Sequence, residues 1–311
     1  MDLKALLSEP YALAMAPGFF RVYAHVGILH ALEEHNLLNP IAVSGSSAGA
    51  MAAGFYASGL QPSEMIESIL EIDRPKMWDP AFGLGYLRGE KLRKLIDDQL
   101  PEKSFEACSS KNGVKLGMTA LDVYGGLSLS VFHKGDIATN MCASACFPVL
   151  FQPRVINGRP YIDAGLTDSC GILSLPELSK NKLVVNILVD IDSVESYSQC
   201  MPPHLQEQGA RLLTICVNGL PATHPFNMTE AGRQSYYRAW KALDRYLKGL
   251  QPSHVMKLVG EHWVLYLDCS SSDLDIGQEQ EKNRSKRVHI LNSSVNETSS
   301  PPKRRSRSRR R

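Results

Sequence analysis

The feature that most constrains the fold of this chain is Gly45-Ser46-Ser47-Ala48-Gly49, a G-x-S-x-G string set between two unlike apolar segments. Residues 41–44 before it are short and apolar, as in a buried strand. Residues 48–57 after it are small or apolar all round, as in a helix buried beneath other layers. A strand that turns at once into such a helix presents the middle serine at the carboxyl edge of a sheet. It also places it at a helix N-terminus, whose dipole favours developing negative charge. Gly45 and Gly49 then serve as residues with no side chain to collide with the turn or its neighbours. The string alone carries little weight, with about 0.1 chance matches expected in a chain of this length. A helix cap is the plainer reading of Ser46 or Ser47, and it is the strand-turn-helix context that favours a nucleophile elbow.

The rest of the chain extends this pattern. An apolar run at residues 11–15 leads through Ala16-Pro17-Gly18 into a helical stretch over residues 23–35. Further strand-like runs fall at 115–120, 127–132, 183–191 and 212–217, and helical patterns near 62–72, 89–100 and 229–250. In the last of these, Tyr236, Trp240, Leu243 and Leu247 recur at helical spacing. Strands alternating with helices imply an α/β fold, a mostly parallel central sheet covered by helices on both faces. Its 311 residues suit one large domain with an appendage: residues 1–270 as the body and 271–311 as a polar, basic tail too poor in apolar residues to fold.

Charge divides the same way. Of 34 Lys/Arg and 32 Asp/Glu, 11 bases and 2 acids lie from Glu281 onward, leaving 23 bases against 30 acids before it. An acidic body argues against nucleic-acid binding by the catalytic domain, and directs any anionic surface, or a nuclear-import receptor, to the tail. Residues 1–10 show no apolar leader and no window approaches the ~18 apolar residues of a membrane span. A cytoplasmic protein, at most peripheral to a membrane, is expected. The seven cysteines (108, 142, 146, 170, 200, 216 and 269) have no metal-site spacing and read as buried free thiols.

Three ordered blocks resemble the patatin-like phospholipase family: residues 43–59 (VSGSSAGAMAAGFYASG), residues 25–32 (HVGILHAL), and residues 143–148 (ASACFP) followed by Phe151-Gln152-Pro153 and Tyr161-Ile162-Asp163-Ala164-Gly165. The resemblance implies a three-layer sandwich and a lipid acyl hydrolase with Ser47 as nucleophile and Asp163 as its partner. It requires neither metal nor cofactor, and its substrate is a lipid or other acyl ester. It places the oxyanion-hole donors at the amides of Gly18 and Phe19, with Arg21, Gly45, Gly49 and Gly165 in support. The sequence departs from the family where Pro17, Phe19 and Val22 replace loop glycines, and where Ala164 follows the aspartate; a positive φ at Ala164 would strain that turn.

Other residues compete for these roles. Asp168 is a nearby alternative to Asp163. A Ser-His-Asp hydrolase would recruit His133, His204, His224, His254 or His262, none of which sits in a recognisable motif. A catalytically weak lipid-binding protein of the same fold is a third reading, motivated by the substituted loop. His25, His30 and His35 step by five residues and share no helix face for a metal. The Met77-Trp78, Phe82 and Tyr86-Leu87 stretch is read as core packing in preference to a lipid-contacting lid.

Overall fold

A computed structural model describes residues 2–176, 182–190, 201–250, 256–259 and 262–270. The expected tail, His254 and Cys200 lie outside them.

In chain order the elements are α1 (Leu3–Leu6), β1 (Tyr11–Met15), α2 (Val22–Glu34), β2 (Pro40–Gly45), α3 (Ala48–Ala57), α4 (Pro62–Leu70), α5 (Arg74–Met77), β3 (Gly85–Leu87), α6 (Glu90–Gln99), α7 (Phe105–Asn112), β4 (Lys115–Asp122), β5 (Ser128–Phe132), α8 (Ile137–Ser144), β6 (Val149–Phe151), β7 (Arg154–Ile156), β8 (Arg159–Ile162), β9 (Leu183–Val189), α9 (Pro203–Glu207), β10 (Arg211–Asn218), α10 (Met228–Leu247), β11 (Met256–Val259) and β12 (His262–Asp268). The main sheet runs β11-β12-β10-β9-β1-β2-β4-β8-β7, with β5 also on β4. The strands from β12 to β4 along this order are mutually parallel, and antiparallel strands finish both edges.

The central strands are apolar at every position because both faces are covered. Along β1, Tyr11, Leu13 and Met15 enter the larger core, while Ala12 and Ala14 face a second one with Val184, Leu188, Leu212 and Cys216. The period of two assigns alternate residues to opposite faces. The large core is closed by α2, α3, α4 and α10. Helix α2 crosses α10 so closely that a Cβ on Gly27 would fall 2.4 Å from the Tyr236 carbonyl oxygen.

His25, on the buried side of α2, is fully enclosed, with Nε2 2.8 Å from the Ala16 carbonyl oxygen. A carbonyl only accepts, so Nε2 carries the proton, and burial pushes the imidazole pKa down to about 4. A depressed pKa contributes stability that is present above the unfolded value of 6.5 and is lost as pH falls through the folded one. Urea unfolding should therefore show a loss of about 3 kcal/mol from His25 between neutral pH and pH about 4. His25→Gln, which keeps a donor for Ala16, should lack that component; parallel pH dependences for the two proteins would contradict this assignment.

The thiol expectation needs a correction. Cys108, Cys142, Cys146, Cys216 and Cys269 are buried and free, their thiol pKa values pushed up to about 12 by burial, which makes them inert at neutral pH. Cys170 is instead disulfide-bonded. His30 and His35 serve the packing of α2 on α10, His30 stacking on Trp240 and His35 meeting Asp244 at 3.0 Å. The aromatic stretch divides: Met77 and Leu87 are core residues, whereas Phe82 and Tyr86 stand in solvent.

Candidate active site

Ser47 lies between the end of β2 and the first residue of α3 with φ 51° and ψ −118°, a region that costs a side-chain-bearing residue about 1–3 kcal/mol. Its surroundings hold it there. The Ser47 N–H donates to Ser144 Oγ at 2.9 Å, Ser46 N–H to the Met15 carbonyl at 3.3 Å, and Gly49 N–H to the Ser46 carbonyl at 2.9 Å. Both flanking glycines are enforced by contact: a Cβ on Gly49 would lie 1.9 Å from the Met15 oxygen, and one on Gly45 2.3 Å from the Gly49 oxygen. The outcome is a hydroxyl aimed away from the chain on a side chain otherwise almost enclosed, the arrangement expected from the strand-turn-helix context.

Asp163 follows β8 and meets the Ser47 side chain. Its Oδ2 accepts the Ser47 hydroxyl at 2.5 Å, its Oδ1 accepts the Gly165 N–H at 2.7 Å, and its own N–H donates to the Cys146 carbonyl at 3.1 Å. Burial raises the Asp163 pKa above the ordinary carboxylate value, more than the Ser47 and Gly165 hydrogen bonds lower it. Ala164 is buried and does not adopt a positive φ, so the departure from glycine there introduces no backbone strain. Gly165 is required by space, because a Cβ would meet Pro17 Cβ at 2.9 Å.

The loop after β1 brings Gly18 and Phe19 to the wall of the same cavity. Among the described residues neither N–H has an intramolecular partner, which leaves both free to donate. Phe19 has φ 36°, and its ring packs edge-on against Phe20 and Phe147. Arg21 holds the loop from behind: it is ion-paired with Asp190 and donates through Nη1 to the Pro221 carbonyl at 2.7 Å. Its guanidinium is thereby engaged by the segments that follow β9 and β10.

These groups open onto a cavity of about 520 Å³ whose walls are almost wholly apolar. Beyond Ser47 it is lined by buried Met51, Ile69, Ile72, Met77 and Leu92, and toward solvent by Phe147, Leu127 and Leu166. Among the described residues no histidine lines it. His133 points to the Leu116 carbonyl at 3.3 Å, and His204, His224 and His262 sit on other parts of the fold. Asp168, the competing carboxylate, is tied down by Thr119 at 3.0 Å and by the Ile172 and Leu173 amides. It stabilises the loop after Gly165. Among the described residues no group of three or more His, Cys, Asp or Glu is placed to hold a metal, and no helix is long and apolar enough to cross a membrane.

Ser144 was not singled out in the sequence. It lies in the ASACFP block, but a buried serine that accepts a hydrogen bond from a distant amide leaves no local signature. The buried cavity residues on α4, α5 and α6 likewise look in sequence like any amphipathic face.

Residues 13–176 match the family model Patatin-like phospholipase, slightly more than half of the chain. The chain belongs to the patatin-like phospholipase family. Uncharacterized NTE family proteins of Mycobacterium bovis and Mycobacterium tuberculosis are 28% identical to it over 164 residues, 52% of this chain and 44% of theirs. The chain thus spans under half the length of these curated relatives. Among solved structures it is similar to VipD from Legionella pneumophila, with 15% identity over 84% of this chain and 61% of that one and a TM-score of 0.48. It is also similar to ExoU in the ExoU–SpcU complex of the type III secretion system of Pseudomonas aeruginosa, with 17% identity over 77% of this chain and 52% of that one and a TM-score of 0.39.

Proposed function

We propose that this patatin-like chain is a lipid acyl hydrolase of the phospholipase A, lysophospholipase or non-specific esterase type, working through a Ser47–Asp163 dyad. The observation that carries this reading is the 2.5 Å hydrogen bond from Ser47 Oγ to Asp163 Oδ2 at the wall of an apolar cavity. As Ser47 Oγ attacks the ester carbonyl carbon, its proton passes to Asp163. Negative charge collects on the carbonyl oxygen, where the Gly18 and Phe19 amides and the N-terminus of α3 meet it. Collapse expels the alcohol, which takes the proton from Asp163. A water molecule then gives its proton to Asp163 and attacks the acyl-serine, and the proton returns to Ser47 as the fatty acid leaves.

The substituted loop supports a second reading, a catalytically weak lipid-binding protein, because Phe19 stands at a positive φ where the family has glycine. Two substitutions separate the readings. Gly18→Val places a branched side chain against Arg21, whose Cγ lies 3.0 Å from the position a Cβ would take, and should cost on the order of 10²–10³ in kcat on p-nitrophenyl butyrate. Phe19→Gly relieves the positive φ and should preserve or raise the rate. Normal acylation by Gly18→Val would place the oxyanion elsewhere. A folded wild type that turns over no ester, with Phe19→Gly gaining activity, would favour the weak-binder reading.

A further inference from the structure

The segment between α5 and α6 carries a feature that the proposed chemistry leaves unused. Residues 80–87 form a tight hairpin, closed by a bridge between Pro80 and Leu87 and by the Ala81 N–H donating to the Tyr86 carbonyl at 3.1 Å. The Gln152 side chain ties its interior, with Nε2 3.2 Å from the Phe82 carbonyl. On this frame alternate residues face opposite ways. Gly85 and Leu87 are buried, while Phe82, Leu84 and Tyr86 are 108%, 84% and 59% exposed. Three large apolar side chains on a braced hairpin, all turned to water, forgo burial that each would otherwise gain.

The hairpin is joined to the substrate cavity. Strand β3 pairs with β6, Leu87 opposite Phe151, and the segment that ends in β6 gives Phe147, Leu150 and Phe151 to the cavity wall while Val149 stands 80% exposed between them. Apolar surface therefore runs from the hairpin tip past Val149 and Phe147 to the cavity. Residues 80–89 contain no acid, and their one charge is Arg88. An apolar tip backed by an arginine suits the boundary between acyl chains and head groups. A stable second copy would need about 800 Å² per partner. Three side chains at a narrow tip offer on the order of 500 Å².

We propose that Phe82, Leu84 and Tyr86 form an interfacial anchor that inserts into a lipid surface and seats the cavity on it. This rests on the lipid acyl hydrolase reading for its purpose, but its test is independent of turnover. The full chain carrying Ser47→Ala, so that no lipid is consumed, is mixed with phosphatidylcholine vesicles and sedimented. Salt at about 0.5 M suppresses any attraction through the basic residues after Glu281. The further change of Phe82, Leu84 and Tyr86 to Ser should lower the partition coefficient by about 30-fold or more. The same triple substitution in the chain with Ser47 intact should leave p-nitrophenyl butyrate turnover and fluorophosphonate labelling unchanged. As a second measurement, Leu84→Trp should be quenched by vesicles of brominated phosphatidylcholine.

Equal vesicle binding with and without the three apolar side chains, or no quenching of the tryptophan, overturns the proposal. So does a wild-type dimer that the triple substitution turns into a monomer, since a second copy would then cover the hairpin. Hairpin-dependent binding by a wild type that the fluorophosphonate does not label supports the anchor and removes only the hydrolase reading.

Discussion

Ser47→Ala is expected to reduce hydrolysis of p-nitrophenyl butyrate by several powers of ten, to the level of the uncatalysed reaction plus whatever the loop amides and cavity supply. Water in this cavity would have to replace a hydroxyl that is already aligned with its base at 2.5 Å, and the covalent intermediate that divides the reaction into two easier steps would vanish. The fold should survive, because removing one oxygen leaves the Ser47 N–H on Ser144 and the glycine contacts of the elbow in place. An alanine variant with a rate near wild type, measured against a matched melting curve, rules Ser47 out as the nucleophile.

Asp163→Asn should reduce activity by nearly as much without destabilising the fold. Asparagine can keep the Gly165 N–H on its Oδ1 and donate through Nδ2 to Ser47 Oγ, but it cannot take the serine proton, and loss of the proposed base should cost on the order of 10⁴ in kcat. Burial raises the Asp163 pKa in the folded state. For a carboxyl so shifted, the stabilising contribution is complete below the unfolded pKa of 3.8 and is lost as pH rises through the folded value. Wherever Asp163 is ionised, its buried carboxylate is therefore a burden on the fold that asparagine removes. The variant should melt at the wild-type temperature or above it while being inactive, a combination that a merely structural aspartate would not give. In the wild type, kcat/KM should fall on acidification with a limb above the usual carboxylate range near 4. Substituting His133, His204, His224, His254 or His262 should leave acylation unchanged; loss of acylation with any one of them, Asp163→Asn remaining active, would restore the Ser-His-Asp alternative.

The parts of the fold that were legible in sequence are the short segments that are small or apolar throughout. Helix α3 spans the expected residues 48–57, since a helix of small residues sunk beneath a sheet tolerates no polar face, and β1 spans 11–15 for the corresponding reason in a strand. The expected strand over 183–191 ends instead at Val189, where Asp190 turns to φ 51° and meets Arg21. Strands β3, β6 and β7 were missed because three residues are too few to show alternation, and β12 because His262 and Trp263 begin it without a turn signal. At the candidate site, the strand-turn-helix that carries Ser47 was readable from local context alone. Asp163 was readable only through the likeness of ordered blocks, as no physical property of residues 161–165 says that they fold against residue 47. The aromatic stretch was misread at Phe82 and Tyr86 because composition favours burial, and only the hairpin braced by Gln152 turns those two rings outward.

The central claim, that Ser47 is a nucleophile activated by Asp163, is tested most directly by intact-mass and peptide mapping after exposure to a fluorophosphonate. The account predicts a single adduct in the wild type, located on Ser47, absent from Ser47→Ala and formed at least about 100-fold more slowly in Asp163→Asn. A folded wild type that stays unlabelled, or an adduct on any other residue, would contradict it.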